Sequence, residues 1–112
     1  PLWHFHTIHH SQQQLNPFTT KRVHAGEKLI GTVGIDAPVL AVTGSPPEVW
    51  LAYYIVDATW DYFIHSNLRI DLGPLRYVIV SPLYHRLHHS VHPRHFDRNF
   101  ADRFVICDLL YG

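Results

Sequence analysis

Pro82-Leu83-Tyr84-His85-Arg86-Leu87-His88-His89-Ser90 carries three histidines in the spacing H-x-x-H-H. Ser81 and Pro82 before it make a helix start. A serine hydroxyl can accept a free first-turn N–H, and a proline in the first turn needs no N–H partner. In a helix, positions i, i+3 and i+4 share one side, a turn apart. His85, His88 and His89 are therefore expected to converge on one point. The same template, with the same trailing serine, recurs in His6-Thr7-Ile8-His9-His10-Ser11, so His6, His9 and His10 are expected to converge on another. Two helices that each present three imidazoles point to metal ligation. Imidazole suits iron, zinc, copper or nickel, so ligand type alone does not choose the metal.

With 11 histidines in 112 residues, one such cluster could arise by chance. A histidine-rich tract can also hold adventitious metal. Both readings predict scattered histidines, not one template written twice.

The length fits one domain, or part of one, over residues 1–112. Net charge is zero with histidine neutral, which gives no footprint for nucleic acid. Charged residues make up 16 % and hydrophobic ones 46 %, little charge for a small soluble domain. The single cysteine, Cys107, excludes an internal disulfide and a thiolate zinc site; it is expected to be a small buried hydrophobe. The chain has no methionine, and both ends read as cut, so a fragment of a longer protein is expected.

Along the chain, Pro1 to Leu15 is expected to be a helix closed by Asn16-Pro17. His4 lies off the ligand face. Arg22 and His24 sit in a linker, where His24 is either a solvent-facing loop histidine or a contact to the site. Leu29 to Thr43 is apolar but broken by Gly31, Gly34, Asp36 and Pro38; at that length it is expected to be buried, interfacial or re-entrant. After the turn Gly44-Ser45-Pro46-Pro47, with Ser45 as a cap, Glu48 to His65 reads as a long aromatic helix. Its rings suit a membrane–water boundary, and a packed core helix would look similar. Asp57, Asp61 and His65 recur every four residues on one stripe. Acidic groups on an apolar helix need partners. Two readings stand: His65 is a ligand with Asp61 and Asp57 behind it as acceptors for imidazole N–H groups, or all three line a solvated groove. His92 and His95 fall in a loop. Ala101 to Tyr111 is expected to be helical, with Gly112 as its C′ residue.

Three stretches then resemble a known family: Trp3-His4-Phe5-His6-Thr7-Ile8-His9-His10-Ser11, Phe63-Ile64-His65-Ser66-Asn67-Leu68, and Ser81-Pro82-Leu83-Tyr84-His85-Arg86-Leu87-His88-His89-Ser90. In this order and spacing they resemble the C-terminal catalytic part of the fatty acid hydroxylase superfamily, which includes sterol desaturases. The resemblance covers nearly the whole chain. It implies an all-α, helical, membrane-associated histidine-cage domain in an integral membrane enzyme, with its active-site face towards the cytoplasm. It further implies two iron ions, with zinc as a possible substitute, and O2-dependent hydroxylation or desaturation of a sterol or fatty acyl substrate. Electrons would come from an external cytochrome b5-like or ferredoxin-like donor. Carried over residue by residue, His6, His9 and His10 match one histidine box and His85, His88 and His89 another. His65 matches a further ligand, and His24 a recurrent histidine. The family's first box, a histidine pair on an upstream helix, is missing here together with the earlier membrane helices. The domain is thus expected to be incomplete and the isolated segment inactive. The alternative is a non-catalytic histidine-rich metal-binding module, for zinc storage or structure.

Overall fold

A computed structural model describes residues 2–12 and 14–111. The order of elements is α1 (Trp3–His10), a 3-10 turn (Pro17–Lys21), α2 (Ala25–Gly31), a π turn (Thr32–Asp36), α3 (Ala37–Thr43), α4 (Pro47–Ile64), a 3-10 turn (Gly73–Tyr77), α5 (Pro82–His88), a 3-10 turn (Pro93–His95) and α6 (Ile106–Tyr111). Among the described residues the only β pairing is an isolated antiparallel bridge between Ile79 and Phe104. The chain is helical, as expected.

The helix starts follow from local chemistry. Ser81 accepts the Tyr84 N–H at 3.1 Å and Pro82 opens α5. Asn16 and Thr19 cap the Pro17–Lys21 turn reciprocally, Asn16 Oδ1 taking the Phe18 N–H and Thr19 Oγ1 the Asn16 N–H. The expected cap Ser45 does not cap α4: Pro46 occupies that position in extended backbone, and the Ser45 hydroxyl donates instead to Thr43 Oγ1 at 2.9 Å. Gly44 closes α3 at φ 58°, a conformation that costs other residues a Cβ clash.

From Ala25 to Thr43 the backbone is helical throughout, although Gly31, Gly34, Asp36 and Pro38 interrupt the apolar run. Pro38 explains the π turn. It has no N–H to give, and its ring would meet the carbonyl four residues back. Widening the preceding turn, with Ala37 N–H bonded to Thr32 five residues back, absorbs the defect. Val33, Ile35 and Val42 on this stretch are exposed, as are Leu51, Ile55 and Val56 on α4. Among the described residues no helix is long and apolar enough to cross a membrane.

The core is small. Ile64, Val80, Ala101 and Val105 are buried together, with Trp60, Phe63 and Tyr84 packed against them. It lies beside the site: Ile64 precedes His65, and Val80 precedes the cap of α5. Two main-chain bonds stitch the C-terminal segment on, Val80 N–H to Arg103 and Val105 N–H to Val78. The Trp60 indole donates to the Asp102 carbonyl at 2.9 Å.

Three expectations fail at the edges. The first helix ends at His10 rather than Leu15, and Pro1 and Gln13 lie outside the described residues. The last helix starts at Ile106 because Ala101 to Val105 is used for backbone pairing; Gly112 also lies outside the described residues. Cys107 is exposed rather than buried.

Candidate metal centre

α1, the end of α4 and α5 deliver seven imidazoles to one place. They do not sort by box. One group, all buried, is His9, His65, His85 and His89; the other, half-buried, is His6, His10 and His88. The reason is helical geometry. At about 100° per residue, i+4 lies some 40° to one side of residue i, and i+3 some 60° to the other. Each H-x-x-H-H box therefore splits into an i, i+4 pair and a single residue. His6 and His10 are the pair of α1, and His88 of α5 joins them. His85 and His89 are the pair of α5, and His9 of α1 joins them with His65. Neither box makes a point of its own, so the expectation of one convergence point per helix is corrected to two shared ones.

In the buried group, His9 Nε2 lies 2.9 Å from His65 Nε2, His65 Nε2 2.9 Å from His85 Nε2, and His85 Nε2 3.1 Å from His89 Nε2. The Nδ1–H of His65 donates to the Asp61 carbonyl at 2.8 Å. That fixes the tautomer and leaves its Nε2 as a lone pair among other ring nitrogens. Nδ1 of His9, His85 and His89 is buried without a partner. With the proton on Nδ1 in each ring, as at His65, the four Nε2 lone pairs face one another, and a cation would satisfy them. The separations also fit adjacent ligands at right angles: metal–nitrogen bonds of about 2.0–2.1 Å set them about 3 Å apart.

Burial, reinforced by the neighbouring histidines, favours the neutral form of His9, His10, His65, His85, His88 and His89. His9 is pushed down to about 3 and His10 to about 4. His85 and His89 move in the same direction for the same two reasons. Burial also lowers His65 and His88, partly offset by their hydrogen bonds to the Asp61 and Arg98 carbonyls. A neutral imidazole is the form that binds metal.

In the half-buried group, His88 Nδ1–H donates to the Arg98 carbonyl at 3.2 Å, and His6 Nδ1–H donates to Glu27 Oε1 at 2.7 Å. His10 Nε2 is buried without a partner. Two cavities flank this trio. One, of about 480 Å³, is walled by Trp3, Val91, Phe96 and Phe100 with His10 and His88 at its floor. The other, of about 380 Å³, is lined by Leu2, Trp3, Phe5, Ile30 and Phe100 around His6 and His88. Three nitrogen ligands beside apolar space are the makings of an open, reactive metal position; four buried ligands make a closed one.

The remaining candidates fall elsewhere. Nδ1 of His24 accepts the Gly26 N–H at 2.9 Å and so caps α2, while its ring lies 4.7 Å from Phe5. Asp57 pairs with Arg103 and touches no imidazole. Asp61 reaches His65 through its main-chain carbonyl; its carboxylate lies 3.5 Å from the Thr20 hydroxyl and is pushed up to about 6 by burial and then by Asp102. His4 is exposed, His92 caps the Pro93–His95 turn, and His95 meets the Ser90 hydroxyl. Sequence reasoning passed over Glu27. The available signal was its place three residues after His24, in the first turn of a helix.

The family model for fatty acid hydroxylases matches residues 1–112. Alkylglycerol monooxygenase of Danio rerio is 30 % identical over 99 % of this chain and 24 % of its own length. Ornithine lipid hydroxylase OlsE of Rhizobium tropici is 32 % identical over 99 % of this chain and 33 % of its own. A very-long-chain aldehyde decarbonylase of Oryza sativa subsp. japonica is 25 % identical over 96 % and 18 %. The chain thus spans between about a fifth and a third of the length of these relatives. No solved structure matches. The match runs over every residue that contributes to the two imidazole groups, and the chain belongs to the fatty acid hydroxylase family.

Proposed function

We propose that this chain is the histidine-bearing part of a membrane-bound, O2-dependent lipid hydroxylase that uses two iron ions. The observation that carries the reading is the pairing of a closed four-imidazole group with an open three-imidazole group beside apolar cavities. His9, His65, His85 and His89 would hold one ion, and His6, His10 and His88 the other. When bound, the iron supplies the O2 activation that cleavage of an unactivated C–H bond requires. Trp3, Phe96 and Phe100 exclude water and lay a hydrocarbon chain against His10 and His88. Further ligands come from the rest of the protein, and electrons from a cytochrome b5-like or ferredoxin-like donor.

The names of the relatives support an alkyl or acyl chain of a polar lipid as substrate. Desaturation would use the same cavity, with a different carbon held over the trio. The apolar side chains exposed on α2, α3 and α4 support a face set against the bilayer; that the histidine groups open towards the cytoplasm rests on the family resemblance alone.

The test is metal analysis and lipid turnover of the full-length protein in membranes. Two irons per chain and O2-dependent hydroxylated lipid are expected. His88→Ala is expected to abolish product while the protein stays in the membrane. Retained turnover in that variant overturns the three-histidine metal position, and tight zinc with no O2 consumption overturns the reading in favour of a zinc-binding module.

A further inference from the structure

Among the described residues, the contact between Glu27 and His6 is the only one between a carboxylate and an imidazole. The two are 21 residues apart, on α2 and α1. A carboxylate can only accept here, so His6 Nδ1 carries the proton and Nε2 is left as the lone pair. Both side chains are about one-third exposed, and Glu27 Oε2 is buried with no other partner. His65 and His88 are oriented differently, each by a neutral main-chain carbonyl. Glu27 thus sets a full negative charge behind one ring of the group that has the fewest ligands.

The local structure is built to bring it there. His24 caps α2 and sets its ring against that of Phe5 on α1, which draws the two helices together. Gly26 permits the approach: a Cβ on it would stand 3.0 Å from His24 Nδ1 and 3.2 Å from Phe5 Cε1. The next residue is Glu27, delivered by the first turn over His6.

We propose that Glu27 is the positioning residue of the three-histidine metal position. It fixes the tautomer and ring orientation of His6 and makes its Nε2 a stronger donor to a cation shared with His10 and His88. This rests on the reading that two ions bind. Contacts of this kind commonly change metal affinity by about 10–100-fold when lost.

The experiment is iron retention by the full-length protein against a graded chelator, for wild type, Glu27→Ala and Glu27→Gln, with circular dichroism alongside. Wild type is expected to release two ions in separate steps. Glu27→Ala should release the weaker ion at about 10–100-fold lower chelator, with the tighter ion and the helical signal unchanged. Glu27→Gln should recover part of the loss, because its amide oxygen can still accept the His6 N–H. An alanine curve that overlays wild type overturns the role of Glu27 and leaves the two-ion reading intact. Equal weakening of both ions, or no recovery by glutamine, also overturns it. A wild type that holds no second ion overturns both.

Discussion

His9 Nε2 lies 2.9 Å from His65 Nε2 across 56 residues of sequence, whereas His10, the next residue along, belongs to the group that holds His6 and His88. Neighbours in one box thus serve different positions. In the full-length protein His9→Ala is expected to lower the metal content by one ion. His9→Ala with His85→Ala should still lose one, since both serve the same position; His9→Ala with His10→Ala should lose both. Metal analysis after dialysis decides the matter. If each box served its own ion, the last two results would be exchanged.

A second expectation concerns pH. Six site histidines have folded-state pKa values below the ordinary imidazole value, with burial as the largest cause. Between about 6.5 and the lowered values, the unfolded chain binds protons that the folded chain does not. Stability therefore rises with pH in that window and falls as acid is added. Asp61, raised to about 6, and Asp102, raised by burial, work in the opposite direction above the ordinary carboxylate range. Two carboxylates against six imidazoles leave the histidines in control. The melting temperature of chelator-treated protein should drop steadily from pH 6.5 to pH 4, and a flat or rising profile would refute the neutral cluster.

Gly26→Ala tests the approach of α2 to α1. The added methyl meets His24 Nδ1 and the Phe5 ring inside comfortable contact, so the first turn must move. Overpacking of this kind costs about 1–3 kcal/mol. The variant is expected to lose the same weaker ion as Glu27→Ala although it leaves the carboxylate in place. Chelator titration and thermal melting together check this: metal retention like wild type, with any melting shift, rules out the coupling.

The histidine face was legible because a five-residue template repeated is rare and helical spacing is fixed by the backbone. Its division into two groups was less visible. Positions i+3 and i+4 lie on one side of a helix but about 100° apart, and that angle between His9 and His10 decides the outcome. Glu27 and Gly26 were missed because their roles come from a contact between helices, not from periodicity. Asp57 and Asp61 misled because a four-residue stripe says which face they share, not which atom reaches the ring: Asp61 serves His65 by its carbonyl, and Arg103 takes Asp57. The expected cysteine burial failed because α6 packs little of its own surface; Ile106, Leu109 and Leu110 are exposed as well.

Ile64 is fully buried directly before His65, against Val80, which stands one residue before the α5 cap. It thereby sets the distance between the end of α4 and the start of α5. Ile64→Ala removes buried volume from a core of few residues and is expected to cost about 2–5 kcal/mol. The greater consequence is local. His65 and His85 are held with Nε2 atoms 2.9 Å apart by that packing, so the four-histidine position should loosen while the trio, built on α1 and α5, is affected less. Ile64→Val should restore most of both properties, since it leaves a smaller void. Chelator release curves separate the two positions. If Ile64→Ala lowered stability but left the tighter ion's release unchanged, the core would not be what spaces His65 from His85.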